Sequence, residues 1–136
     1  HWGHDISPEN NQYQAGLKFT ISLEKDFYFI GKEKLLEINN QKINKRFAMF
    51  ILKNNQPGNP LLLHEEPIYL DNNIIGKTTS GNYSFNYNKN LSFGYINTKL
   101  TNQELLTKNL YIEVEKFKYQ AEILIKPLKQ SNFKII

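Results

Sequence analysis

Three groups of residues have types and spacings that could do chemistry. His1, His4 and Asp5 put three potential metal ligands within five positions. Zinc sites use such side chains, but a terminal His-x-x-His-Asp lacks the fixed helical spacing of an established zinc motif. The reading set against the metal is a short segment that packs on residues upstream. His64 beside Glu65 and Glu66 offers an acid and a base, yet it precedes Pro67 in an expected loop with no serine or cysteine nucleophile adjacent. A solvated loop is the expectation there.

Thr78-Thr79-Ser80-Gly81 follows Gly76 and supplies hydroxyls beside a flexible glycine, as a phosphate cradle would. It lacks the Gly-Lys-Ser/Thr order of a P-loop and opens no helix, so a strand ending in a tight turn is expected. Tyr83, Phe85, Tyr87, Phe93 and Tyr95, interleaved with Lys89, resemble a base-stacking surface. The period-two spacing of Tyr83, Phe85 and Tyr87 also puts three rings on one face of one strand, and core packing is the reading preferred.

Composition narrows the partners. Seventeen basic residues against thirteen acidic ones give a formal charge of +4, spread along the chain rather than gathered in a block, so no nucleic-acid partner is expected. Arg46 is the single arginine; the abundance of Asn, Ile and Lys follows the pattern of an AT-rich coding sequence. The absence of cysteine excludes disulfides, thiolate metal sites and a cysteine nucleophile, and is compatible with a cytoplasmic location. Apolar runs such as 27–30 and 47–52 are strand-sized, so no membrane span is expected. The opening His1-Trp2-Gly3-His4-Asp5 has no signal-peptide pattern and reads as part of a longer chain.

The elements that must position these groups fall into two units. Leu17–Leu23 alternates apolar and polar residues and predicts a strand. Residues 32–38, following Gly31, are good helix formers closed by Asn39-Asn40, and predict a short helix. From about residue 43 the pattern predicts short strands at 46–52, 67–70, 74–79, 83–87, 91–96, 110–116 and 119–125. Asp71-Asn72-Asn73 is expected to close a hairpin, and Thr101–Glu104 has the spacing of a capping box. The fold class is therefore mainly β: a six- or seven-stranded antiparallel barrel over 43–136, preceded by a strand and helix over 1–42, because closure removes exposed sheet edges.

An ordered series carries further information: Trp2-Gly3-His4-Asp5-Ile6, Ala15-Gly16-Leu17, Asp26-Phe27, Phe29-Ile30-Gly31-Lys32-Glu33, Gly76-Lys77-Thr78-Thr79-Ser80-Gly81, Leu91-Ser92-Phe93-Gly94-Tyr95-Ile96 and Lys126-Pro127-Leu128. It resembles the C-terminal part of the aminomethyltransferase family, which includes the glycine cleavage T-protein and the folate-binding halves of dimethylglycine and sarcosine dehydrogenases. The series around Gly31 looks more like the dimethylglycine dehydrogenase branch.

The resemblance implies that 1–42 ends a folate-binding domain and that 43–136 is a small Greek-key barrel closing over it. It implies tetrahydrofolate as cofactor of the parent enzyme, with FAD in an upstream domain, and as partners the upstream folate-binding and flavin domains of the same protein. The implied reaction moves a one-carbon unit from an N-methyl amine to tetrahydrofolate; the alternative is a non-catalytic barrel that binds a partner.

Residue by residue, the resemblance places Trp2 where an aromatic stacks near the pterin, and Arg46 where a guanidinium can pair with the glutamyl carboxylates. The alternatives are a packing residue for Trp2 and a solvated strand-end charge for Arg46. The family's catalytic aspartate and pterin-binding glutamate would lie upstream of His1. Tyr13 stands where the family has proline, and Phe117 where it has glycine in the last turn.

With those carboxylates missing, positioning and proton transfer are lost together. The isolated chain should therefore show no aminomethyl transfer when incubated with tetrahydrofolate and an N-methyl amine, measured as folate product by chromatography.

Overall fold

Period-two alternation needs one buried and one exposed side, and six strands satisfy this by rolling into a cylinder. The computed structural model describes residues 1–54 and 56–124. The strands are β1 (Lys45–Leu52), β2 (Pro67–Leu70), β3 (Asn73–Ser84), β4 (Lys89–Asn97), β5 (Leu110–Val114) and β6 (Phe117–Leu124). They form a closed barrel in the order β1-β4-β3-β2-β5-β6, every neighbouring pair antiparallel. The run β2-β3-β4 with β1 laid beside β4 is a Greek key, joined by the long 53–66 connection.

Alternate residues build the core. Phe50 and Leu52 of β1, Ile68 of β2, Ile96 of β4, Leu110 and Ile112 of β5 and Ile123 of β6 are buried together, with Leu62 and Leu105 plugging the barrel from its connections. Leu105 belongs to α2 (Asn102–Leu106). Its capping box forms as the sequence predicts: the Thr101 hydroxyl accepts from the Glu104 N–H at 3.2 Å, and the Glu104 carboxylate accepts from the Thr101 N–H at 2.6 Å.

The structure departs from the sequence expectations at four places. Segments 74–79 and 83–87 are not two strands: residues 73–84 are one twelve-residue strand, with a register shift between Thr78 and Ser80. Gly81 therefore marks close packing instead of a turn, since a Cβ there would lie 2.5 Å from the Leu62 Cβ.

The aromatic series is not core. Residues 85–88 form the β3–β4 turn, leaving Phe85 80% exposed, and Phe93 stacks on Phe47 on the outer surface. Only Tyr95 of the five is buried.

Leu17–Leu23 is not a strand. Lys18–Thr20 is a 3-10 turn in which both the Thr20 N–H and its hydroxyl donate to the Leu17 carbonyl, satisfying locally what a sheet neighbour would have supplied. The final hairpin turns at Glu115-Lys116, and Phe117 already pairs with Val114 as the first residue of β6. Ile125 and Lys126-Pro127-Leu128 lie outside the described residues. The expected helix forms as α1 (Lys32–Asn39), which buries none of its residues.

Residues 1–16 make a strap across the outside of β1, β3 and β4. Asp5, only 8% exposed, accepts hydrogen bonds from Thr79 Oγ1 at 2.6 Å and Ser80 Oγ at 2.8 Å, and from the His1 nitrogen at 2.6 Å. The Phe47 N–H donates to the Gln14 carbonyl at 2.7 Å, and Tyr13 reaches the Leu35 carbonyl of α1 at 3.1 Å.

Burial raises the Asp5 pKa, but the hydrogen bonds from the terminal ammonium of His1, Thr79 and Ser80, with the charge of that ammonium, outweigh it, and the net direction is downward. A depressed folded pKa contributes stability that is complete above the unfolded value of about 3.9 and is lost as pH falls through the folded value. Asp5→Asn should therefore lower the melting temperature at neutral pH, and its deficit against the parent should shrink below about pH 4 in a thermal-melt series. Packing gives a second expected outcome: at Gly76 a Cβ would meet the Tyr95 carbonyl oxygen at 1.9 Å, so the backbone must move. Gly76→Ala should cost about 3 kcal/mol in urea unfolding, the upper end for overpacking.

Candidate functional site

Strand alternation separates two neighbouring basic residues. Arg46 shares the barrel-interior side of β1 with Ala48, Phe50 and Leu52, whereas Lys45 shares the outer side with Phe47. The Arg46 guanidinium is half-buried and donates from Nη2 to the Leu100 carbonyl at 2.5 Å, bridging β1 to the turn before α2. Burial lowers its pKa from the ordinary arginine value. Its Nε–H is buried without an acceptor, and no Asp or Glu pairs with it among the described residues. The Leu100 carbonyl thus takes one of the five donors of this guanidinium, and nothing takes the buried Nε–H.

Lys45 instead faces a cleft of about 370 Å³ between the strap and the outer faces of β3 and β4. The cleft is lined by Gly3, His4, Ser7, Glu9 and Asn10 of the strap and, across from them, by Lys45, Lys77, Tyr95 and Asn97 among others. Lys45 Nζ lies 5.0 Å from the centre of the Tyr95 ring, a cation–π contact. Tyr95 is 8% exposed, and its hydroxyl is buried without a hydrogen-bond partner. Burial, and then the Asp5 charge, push the Tyr95 pKa upward. Glu65 is joined to Lys77 by an ion pair, and Glu9 is exposed at the rim.

The remaining sequence candidates take structural places. Trp2 is 69% exposed and bridges to Ile6 within the strap; it lines no part of the cleft. His1, His4 and His64 converge although the last is sixty positions away: ring centres are 4.9 Å apart for His1 and His4, and 5.8 Å for His4 and His64. Among the described residues no group of three or more His, Asp or Glu is arranged to hold a metal ion. Glu66 is not a free acid: its carboxylate accepts from the Leu63 N–H at 2.8 Å and from the Thr78 hydroxyl. Thr79 and Ser80 bind Asp5 instead of a phosphate.

Sequence reasoning missed the pairing of Lys45 with Tyr95. The signal lies in the β1–β4 register, where Phe47 faces Tyr95 and Lys45 faces Asn97, putting Lys45 on the diagonal from Tyr95. No helix among the described residues is long and apolar enough to cross a membrane.

Comparison with known proteins places this geometry. Residues 45–129 match the glycine cleavage T-protein C-terminal barrel domain. The chain is 37% identical over 83 residues to 4-methylaminobutanoate oxidase (formaldehyde-forming) of Paenarthrobacter nicotinovorans, covering 61% of this chain and 10% of that protein. It is 28% identical over 130 residues to mitochondrial dimethylglycine dehydrogenase of Mus musculus, covering 93% of this chain and 14% of the relative. The chain thus spans a small part of the length of the curated relatives it matches. The crystal structure of glycine cleavage system aminomethyltransferase T from Bartonella henselae shares its fold, with a TM-score of 0.75 and 21% identity, over 98% of this chain and 36% of that one. On the match over residues 45–129, whose described part forms the closed barrel, this chain belongs to the glycine cleavage T-protein C-terminal barrel domain family.

Proposed function

We propose that this chain is the C-terminal part of a tetrahydrofolate-dependent enzyme that transfers a one-carbon unit from an N-methyl amine to tetrahydrofolate. The observation that carries the reading is the family match over the barrel, joined to 93% coverage of this chain by a relative named for dimethylglycine oxidation. In this reading residues 1–42 complete a folate-binding domain, 43–136 close over it, and a flavin domain upstream oxidises the amine. The carboxylates that move protons and grip the pterin belong to the upstream part, so the role of this chain is to shape the pocket and hold the folate.

Two residues fit that role. Trp2 presents an exposed flat ring able to stack on a heterocycle. Arg46 carries a buried Nε–H without an acceptor, the kind of donor that a glutamyl carboxylate satisfies. Lysine cannot reproduce the planar, bidentate fork, which gives a physical reason for an arginine at this one position.

In the full-length parent, Arg46→Lys should weaken tetrahydrofolate binding by about 1 to 3 kcal/mol, the range for hydrogen bonds to charged groups. The lost contact to Leu100 should also cost the chain about 1 kcal/mol of stability. Calorimetric folate titration together with thermal melts separates the two effects: a lowered melting temperature with unchanged affinity reduces Arg46 to its Leu100 contact. Absence of one-carbon transfer by the full-length parent, with an N-methyl amine as donor, overturns the functional reading and leaves an interaction barrel.

A further inference from the structure

Resting on the folate reading above, we infer that Asp5 is a positioning residue for the Trp2 ring: by fixing the loop of residues 1–6 to β3, it sets where that ring meets the pterin. Asp5 is buried and acts through the loop, not on the ligand. Three observations carry this. First, residues 1–6 form one compact loop, closed by the Gly3 N–H on the Ile6 carbonyl at 2.7 Å, the Asp5 N–H on the His1 carbonyl at 2.8 Å, and the bridge between Trp2 and Ile6. Gly3 supplies the positive φ, 89°, that the reversal between Trp2 and His4 requires. The loop therefore moves as a unit, Trp2 with Asp5.

Second, the unit hangs from one side chain. Thr79 Oγ1 and Ser80 Oγ both donate to the same oxygen, Asp5 Oδ1, at 2.6 and 2.8 Å, and among the described residues no other hydrogen bond joins residues 1–6 to a strand. His4 adds only an edge contact to His64, with ring centres 5.8 Å apart. Third, Trp2 is 69% exposed, so its own packing does little to direct the ring, which takes its place from the backbone of the loop. A ring without an anchor of its own loses freedom when it stacks on a heterocycle, and a loop fixed in advance lowers that cost.

The chemistry of the anchor separates positioning from stability. Because both hydroxyls meet one oxygen, the amide of Asp5→Asn can still accept both bonds through its own Oδ1, whereas Asp5→Ala removes the acceptor. Asp5→Asn gives up the charge, and with it stability at neutral pH, but not the geometry of the two bonds.

The experiment is a calorimetric titration of the full-length parent with tetrahydrofolate, well below the melting temperature of every variant used, in a double-mutant cycle between positions 5 and 2. Trp2→Ala should weaken binding roughly two- to tenfold, the range that one aromatic stacking pair supplies. Asp5→Ala should approach the same loss, Asp5→Asn should retain most of the parent affinity, and Asp5→Ala added to Trp2→Ala should weaken binding no further. If Asp5→Ala leaves too little folded protein, Thr79→Val with Ser80→Ala removes the same two bonds from the other side and takes its place in the cycle. An equal loss from Asp5→Ala with and without Trp2 means that the carboxylate acts on the fold in general, and overturns the positioning role; so does an Asp5→Ala protein that binds as the parent does. Those two failures leave the folate reading standing, because the parent still binds tetrahydrofolate. Trp2→Ala with unchanged affinity overturns the role together with the placing of Trp2, and a parent that binds no tetrahydrofolate overturns the folate reading and this role with it.

Discussion

The hydrogen bonds from Thr79 and Ser80 to the Asp5 carboxylate are the contacts on which the cleft depends. They join two pieces of chain 74 positions apart, fastening an irregular strap to a strand of the barrel. A carboxylate removed this far from water is tolerable only because hydroxyls meet it. The cleft lies between the two surfaces that this contact draws together, and the buried setting of Tyr95 depends on the strap lying over it. Fold and site are thus coupled through polar contacts between elements, those of Asp5 and the Phe47–Gln14 hydrogen bond, whereas the barrel itself rests on apolar burial and backbone pairing.

The barrel was the more legible part. Strands β1, β2, β4, β5 and β6 follow from alternation bounded by Asn, Asp, Gly and Pro, because a two-sided sheet imposes period two on its sequence. The capping box at Thr101–Glu104 is legible for a similar reason: its geometry is local, and four residues specify it. Reading failed where the outcome depends on what approaches from elsewhere. Gly81 looks like a turn until Leu62 is seen to occupy the space of its missing Cβ. Leu17–Leu23 has strand periodicity but no strand to pair with, and local turn bonds prevail.

The site was harder to read than the fold because a strand sends adjacent side chains in opposite directions. Lys45 and Arg46 read as one basic pair, yet one faces the cleft and the other the inside of β1. Their separation needs only the phase of the alternation, fixed by buried Phe50 and Leu52. The unpaired Tyr95 hydroxyl has no sequence signature, since any tyrosine in a strand carries the same letter whether or not its oxygen finds a partner. Asp5 drew notice as a possible metal ligand, and the chemistry that suggested it, a carboxylate seeking hard partners, is met here by two hydroxyls.

The turn of the last hairpin has an energetic meaning. Glu115 and Lys116 both adopt positive φ, 51° and 71°, in a two-residue loop where asparagine and glycine are the comfortable choices. Each such residue costs roughly 1 kcal/mol against the ordinary right-handed conformation, so this loop opposes the hairpin it connects. The pairing of β5 with β2 and of β6 with β1 imposes the turn from outside. A connection that resists its own shape adds little to the hairpin it joins, so the pairings of β5 with β2 and of β6 with β1 hold these strands more than their own turn does.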